Sequence, residues 1–585
     1  MKKINYGFLG LIFIPLLSCS DSPDVIDEKP VVPVVENIAS KPAVEGIRIA
    51  WDYTTLTQVS DKNNTEYNGY ARLVQLIDKR LMCTYESGGA ILIKTSNDFG
   101  GTWSEPIKVV SGNALVNMTT PDILQLKDNS ILICYNPRPI VGNGIAKFSI
   151  NTIKSYDGGL TWKENQIVYE ASSEFENGCW EPSALQIPSG EIQLFFSNEN
   201  VYRNTNEQNI SLIRSSNNGL TWSTTPEIVS FRAGKRDGMP SPILLKNQTE
   251  IVFSIEDNGV ENQFKPYIIR NSITENWKQT VDASSNNRSY ALEEVLSNPI
   301  YAGAPYLSQI STGEVLMSYQ GTENRTTNDI NNADMKVVIG SMDAKNFNRK
   351  SIPFILSSGK SALWNSIAVL DDDTVIALTT TNQFTNASQI WMIKGHIIPE
   401  INAAKEAVII DGLENEVVWK KESPIFIGQK STTQLEANFT YDITFLYFIA
   451  HVIDSQIVST NALTGSDGLN LYLDPKNKSL IAPGKSIFKL ELGQSNLFSI
   501  YEGENSNWKK LDSPQGIVTT TVKTSNGYRV ELKIPWTLLG GMPAKQTRIG
   551  YNIELREKGI NNYIESISSN SSDKPYSWST LKLVN

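Results

Sequence analysis

Two glutamates have the residue type and setting to do chemistry. Glu181 lies in Cys179-Trp180-Glu181-Pro182-Ser183, at the start of an apolar β-like run. Glu256 lies in Phe253-Ser254-Ile255-Glu256-Asp257-Asn258-Gly259, where another such run ends. Two carboxyl groups on one surface can cut a glycosidic bond. One protonates the leaving oxygen, and the other attacks the anomeric carbon or activates water. Either glutamate alone could instead bond edge amides of a sheet. Asp237 and Asp257 flank Glu256 and either raise its pKa by like-charge repulsion or bind sugar hydroxyls. Glu86 is a third candidate.

Composition narrows the alternatives. The chain has 585 residues, long enough for two or three domains, and a net charge of −10. It has no long basic run, so nucleic acid is a poor partner. Its two histidines, His396 and His451, would have to supply any Ser-His-Asp triad or His-rich metal site. Neither is expected, and no metal or cofactor is implied. Cys83, Cys134 and Cys179 sit in or beside apolar stretches and read as buried free thiols.

The elements that must position the glutamates come from a repeat. Ser96-Asn-Asp98-Phe-Gly100-Gly-Thr102-Trp103, Ser155-Tyr-Asp157-Gly-Gly159-Leu-Thr161-Trp162 and Ser215-Ser-Asn217-Asn-Gly219-Leu-Thr221-Trp222 start 59 and 60 residues apart. The Asp can accept N–H bonds from its own turn and Gly supplies the positive φ, so each copy is a folding device. A quieter repeat pairs apolar strands across polar turns. Its copies start at Arg72, Asp122, Ser183, Ser241, Tyr306 and Ser366, at spacings of 50, 61, 58, 65 and 60 residues. Degenerate boxes lie at Arg270 to Trp277 and Ser341 to Phe347. Six hairpins with room for two more strands each predict six four-stranded blades. Gly46 to Trp51 is expected to close the ring by pairing near Gln389 to Ile397.

Strand direction then places the residues. The start of each first strand and the end of each second strand share one rim around the axis, and the boxes lie at the far rim. Those slots hold Arg72, Glu86, Asn136, Arg138, Glu181, Asn198, Arg236, Asp237, Glu256, Asp257, Tyr319, Gln320 and Trp364. A polar rim over an axial hollow is the default ligand site of such a ring.

The pattern S-x-D-x-G-x-T-W resembles the Asp box of sialidase-like β-propellers. One Glu in blade 3 and another 75 residues on in blade 4 resemble glycoside hydrolase family 93, exo-acting α-L-arabinanases that work with retention. That resemblance covers roughly residues 46 to 400. It implies Glu181 as acid/base, Glu256 as nucleophile, and Tyr319, Arg236 and Asp237 as substrate-shaping residues. Sialidases share the boxes but need three arginines and a Tyr–Glu pair. Arg72 stands at the first arginine position, yet Tyr70-Ala71-Arg72-Leu73 lacks their Arg-Ile-Pro. Arg138 and Arg236 are the other candidates. A rim rich in carboxylates disfavours an acidic sugar, so a neutral glycan is expected. The alternative outside the enzymes is a propeller that binds glycan without cleaving it and works with other glycan-uptake proteins.

Both ends of the chain add expectations. Met1-Lys2-Lys3 and the apolar run Phe8 to Leu17 read as a signal peptide over residues 1–18. Leu16-Leu17-Ser18-Cys19 resembles a bacterial lipobox, which implies a lipid on Cys19 and attachment to the outer membrane. Residues 19–45 read as a tether. The propeller is expected over 46–402, with a short link from Ala403 to Ile410. Long alternating strands then predict a β-sandwich over 411–585. Asp467 to Pro475 and Val530 to Trp536 resemble family 9 carbohydrate-binding modules, which implies sugar stacking on aromatics such as Trp508 or Trp578. Trp536 reads as core. The fold class is thus all-β, a six-bladed β-propeller followed by a β-sandwich.

Overall fold

The computed structural model describes residues 47–584, apart from 62–65, 141–143, 260–262, 399, 421–424, 429–432, 479, 481, 513–515, 543–546, 560–563, 568–571 and 576–577. Cys19 and the leader and tether segments lie outside the described residues. No α-helix occurs among the described residues. Six antiparallel four-stranded sheets follow one another. Their first strands are Asn68–Gln75, Val116–Gln125, Cys179–Gln186, Asp237–Leu244, Ala302–Gln309 and Ala362–Val369, in blades 1 to 6. The ring closes as expected: Arg48–Gln58 is the outer strand of blade 6 and pairs antiparallel with Gln389–Ile398, Arg48 opposite Ile398.

Continuous apolar runs make strands covered on both faces by neighbouring blades. All seven residues are buried in Ser149–Ser155, Ile192–Asn198, Val315–Gly321 and Val375–Thr381. Between blades 1 and 2, for instance, Met82, Ile91 and Ile93 pack with Ile131, Ile133 and Tyr135. Cys83, Cys134 and Cys179 are buried free thiols.

The box repeats join third to fourth strands. In the first, the Ser96 hydroxyl and the Asp98 carboxylate accept the Gly100 and Thr102 N–H groups, both at 2.8 Å. The bonds recur from Gly159 to Ser155 and Thr161 to Asp157, and from Gly219 to Ser215 and Thr221 to Asn217. The Thr102 N–H holds the Asp98 carboxyl down at about 2, and the Thr161 hydroxyl and N–H hold that of Asp157 down at about 2.

Beyond the ring, the expected link is partly a strand. Glu400–Lys405 pairs in parallel with both Ser579–Leu583 and Thr433–Tyr441, and so joins two sheets into one 13-stranded sheet. The sheets face each other across one core, with Leu435, Phe439 and Phe448 from one side and Leu469, Leu471 and Leu490 from the other. Of the long strands expected from the alternation, Gln434 to Ile453, Ser486 to Tyr501 and Ile517 to Ile534 are hairpins, whereas Gly468 to Leu473 and Arg548 to Arg556 are single strands. The stretch Gln434 to Ile453 breaks at Asp442, whose carboxylate accepts the Thr444 and Phe445 N–H groups at 2.6 and 2.7 Å. Trp536 is buried, as read.

Candidate active site

Each first strand carries one β-bulge at the same place, and the bulge residue has a positive φ. These residues are Tyr70 (51°), Thr120 (43°), Glu181 (45°), Met239 (52°), Ala304 (48°) and Trp364 (54°). Pairing shifts register across each of them. Proline follows four of them, at 121, 182, 240 and 305, where no N–H is available for the ladder. A left-handed non-glycine residue is strained by about 1–3 kcal/mol and persists only where its surroundings hold it. Tyr70, Met239, Ala304 and Trp364 come from blades 1, 4, 5 and 6 yet form one cluster, so the bulges converge on the axis.

The holding groups are side chains of the preceding blade. Glu86 Oε2 accepts the Thr120 N–H at 2.7 Å, Ser197 Oγ the Met239 N–H at 3.0 Å, Glu256 Oε2 the Ala304 N–H at 2.9 Å, and Gln320 Oε1 the Trp364 N–H at 2.7 Å. Bulge residues and their fasteners therefore alternate around the axis. Glu181 is itself a bulge residue. Glu86, on blade 1, and Glu256, on blade 4, are equivalent fasteners to either side of it, and Trp364, on blade 6, is three blades away. The expectation that Glu181 and Glu256 share the central rim matches this placement.

Their charges are held differently. Glu181 Oε1 accepts from Arg138 Nη2 at 3.0 Å, Arg138 Nε donates to Asn136 Oδ1 at 2.7 Å, and the guanidinium lies 4.9 Å over the Trp180 ring. Burial pushes the Glu181 carboxyl up, and Arg138 opposes it. Among the described residues Glu256 has no such ion pair. Burial raises its carboxyl to about 7, and the charge on Glu181 adds to the rise while the Ala304 N–H and Arg236 oppose it. Glu86 is also raised by burial, against Arg138 and the Thr120 N–H. Arg236 bonds Glu199, which also accepts the Trp180 indole N–H at 2.9 Å, and Gln208 at 2.5 Å. Trp364 stacks on Tyr70 at 4.6 Å, and Tyr70 shares a small cavity lining with Glu181.

Several predicted rim residues lie elsewhere. Asp237 and Asp257 are buried and bound to Arg288, at 2.5 and 2.7 Å, with Arg232 and Ser230 completing the cluster. They cannot meet a sugar. Tyr319 is buried between blades and donates to Glu323 at 2.6 Å. Successive strand residues point to opposite faces: Glu256 and Gln320 face the ring, so Asp257 and Tyr319 do not. Arg72 lies one tier below the rim. It bonds the Ala71 and Trp364 carbonyls and lies 4.7 Å over Tyr306, in a cavity of about 20 Å³ shared with Asp122, Ser183 and Ser241. A larger cavity, about 410 Å³, opens among Gln75, Lys246, Gln309 and Asp373 and touches none of the predicted site residues. Sequence reasoning missed Glu199, Tyr67 and Tyr301. Tyr301 accepts from Gln320 Nε2 at 2.8 Å and crowds against Gly303 beside Glu256, where a Cβ would fall 2.4 Å from its oxygen.

In the C-terminal sandwich Trp578 is fully buried, its indole N–H on the Ser572 carbonyl, and offers no stacking face. Trp508 is half-buried, 5.8 Å from Tyr472. Asp454, Asp467 and Glu557 are buried, and each places a carboxylate oxygen within 4.8 Å of the others, a donor set suited to a hard divalent cation.

Residues 410–583 match the family described as carbohydrate family 9 binding domain-like. No curated protein matches the chain. A solved structure of a protein of unknown function from Dyadobacter fermentans is 14% identical, covers 61% of this chain and 100% of its own, and has a TM-score of 0.48. The α-L-arabinofuranosidase of Fusarium graminearum with an iminosugar inhibitor is 17% identical over 58% of this chain and 96% of its own, TM-score 0.44. A family 9 carbohydrate-binding module from Caldicellulosiruptor kristjanssonii in complex with glucose is 18% identical over 32% of this chain and 95% of its own, TM-score 0.27.

Proposed function

We propose that this protein is a glycoside hydrolase that cleaves the terminal bond of a neutral glycan with retention. The substrate class implied by its sequence resemblance is an α-L-arabinan. The observation that carries the reading is a difference between two ring carboxyls that burial raises: Glu181 is ion-paired to Arg138, whereas Glu256 is held by the Ala304 N–H and raised to about 7. An ion-paired carboxylate suits attack and a raised carboxyl suits proton donation. Glu181 then attacks the anomeric carbon while Glu256 protonates the leaving oxygen. The glycosyl–Glu181 ester is hydrolysed by a water that gives its proton to Glu256. These roles are the reverse of those the resemblance implies; the Arg138 contact favours the reversal.

The test is azide rescue on an aryl α-L-arabinofuranoside. Under these roles E181A with azide gives a glycosyl azide of inverted configuration, and E256A gives one of retained configuration. The swapped pattern reverses the roles. Undiminished turnover in both E181Q and E256Q sinks the hydrolase reading.

A sialidase site needs open arginines. Here Arg72 bonds carbonyls, Arg138 pairs with Glu181, and Arg236 pairs with Glu199. These partners favour a neutral sugar over an acidic one. The sandwich serves as a glycan anchor through Trp508, tested by loss of retention on polysaccharide gels in W508A. We further propose that Cys19 is lipidated and attaches the protein to the outer membrane, a reading supported by the lipobox-like Leu16-Leu17-Ser18-Cys19. Mass spectrometry of the mature N-terminus tests that, and an unlipidated Cys19 overturns it.

A further inference from the structure

Phe175 stands on a single 3₁₀ turn, Phe175–Asn177, just before the first strand of blade 3. It is 66% exposed, yet it is not a stray surface phenylalanine. Its ring centroid lies 4.9 Å from that of Trp180 and 6.1 Å from that of Phe148. Trp180 in turn carries the Arg138 guanidinium and precedes Glu181 in the chain. Phe175 is thus the exposed end of an aromatic stack whose inner members, Trp180 and Phe148, are buried, and Trp180 adjoins Glu181 in the chain.

The turn that presents Phe175 is braced on both sides. The Asn177 N–H bonds the Glu174 carbonyl at 3.1 Å, and Asn177 Nδ2 bonds the Glu174 carboxylate at 2.7 Å. The Phe148 N–H bonds the Ser172 carbonyl at 2.9 Å, and the Glu199 N–H bonds the Gly178 carbonyl at 3.1 Å. Gly178 lets Trp180 lie against the backbone, because a Cβ there would fall 2.6 Å from the indole. A large apolar ring held open to water by fixed backbone is what a stacking subsite requires, since little ordering is left for the ligand to impose.

We infer that Phe175 is the floor of a sugar subsite that takes the unit adjoining the one held in the central hollow. The ligand class is a neutral pyranose or furanose ring, stacked through its C–H face. At the axis stand Tyr70 and Trp364, stacked on each other and clustered with Met239 and Ala304. A one-unit substrate is gripped there and does not reach Phe175, whereas a longer one crosses the blade 3 rim and does.

This inference rests on the glycosidase reading, and the experiment separates the two. kcat/KM is measured for α-L-arabinofuranosyl fluoride and for an α-1,5-linked arabinotriose in wild type, F175A and F175Y, with melting temperatures as a check on folding. F175A should lose about tenfold or more on the trisaccharide, with a loss below about twofold on the fluoride, and F175Y should recover most of the lost activity. Equal losses on both substrates, or none on either, overturn the subsite. Inactivity of E181Q and E256Q beside an unaffected F175A leaves the hydrolase standing and removes the subsite alone. A wild type inactive on both compounds removes the arabinoside reading and the subsite with it.

Discussion

Glu256 belongs to blade 4 but its carboxyl grips blade 5, where Oε2 accepts the Ala304 N–H at 2.9 Å. The candidate acid is thus also a structural fastener, and the two jobs can be pulled apart. E256Q keeps an acceptor for the N–H and should melt near the wild-type temperature while losing about 10³-fold or more in turnover. E256A leaves a buried N–H unpaired and should lose a further ~1–3 kcal/mol of stability. Thermal unfolding of the two variants beside their kinetics checks this; equal melting would mean the bond contributes nothing.

The Glu256 carboxyl, raised by burial to about 7 from 4.5, sets a pH dependence. A general acid must hold its proton, so kcat/KM should fall as pH rises through about 7. The folded pKa exceeds the unfolded one, so this group's contribution to stability is full below about 4.5 and is lost as pH rises through about 7. A pH–rate profile with no limb near 7 in wild type would contradict the assignment.

Arg288 neutralises Asp237 and Asp257 where none of the three meets solvent. R288M leaves two carboxylates without their main counter-charge, with Arg232 as the remaining cation on Asp257. A loss of about 3–5 kcal/mol is expected, with KM of the folded fraction unchanged. A raised KM at unchanged stability would return these aspartates to the sugar site.

The third box uses Asn217 where the others use aspartate, and its side chain still accepts the Thr221 N–H at 2.9 Å. D98N should therefore be tolerated, whereas D98A should lower the melting temperature. Equal behaviour of the two would show that the side-chain acceptor is idle.

In the sandwich, burial lifts the Asp467 carboxyl to about 6. Its folded pKa is raised, so its contribution to stability is lost as pH rises through about 6. The C-terminal domain should melt higher at pH 5 than at pH 7.5, and D467N should flatten the difference.

The blade count, the box turns, the ring closure and the rim position of Glu181 and Glu256 were legible because each follows from a repeat or a strand direction. The bulge ring was not. Its plainest trace is a proline after Thr120, Glu181, Met239 and Ala304, but Tyr70-Ala71 and Trp364-Asn365 break the series. Counting slots also cannot tell which of two adjacent strand residues faces the axis, so Asp257 and Tyr319 were placed with Glu256 and Gln320. The resemblance to family 9 modules implies stacking on Trp508 or Trp578, and sequence does not distinguish a surface ring from one that fills a core, as Trp578 does. Phe175 had no periodic signal at all, since it lies in a loop.

Blade 6 is assembled from both ends of the propeller segment, Arg48–Gln58 beside Gln389–Ile398, and the strand Glu400–Lys405 continues from it into the sandwich. The sandwich also grips this blade directly, through Arg48 Nη1 on the Trp578 carbonyl at 2.9 Å. Tension entering the chain ahead of Arg48 would therefore load this one clasp first, and the five other blades would stay slack until it tore.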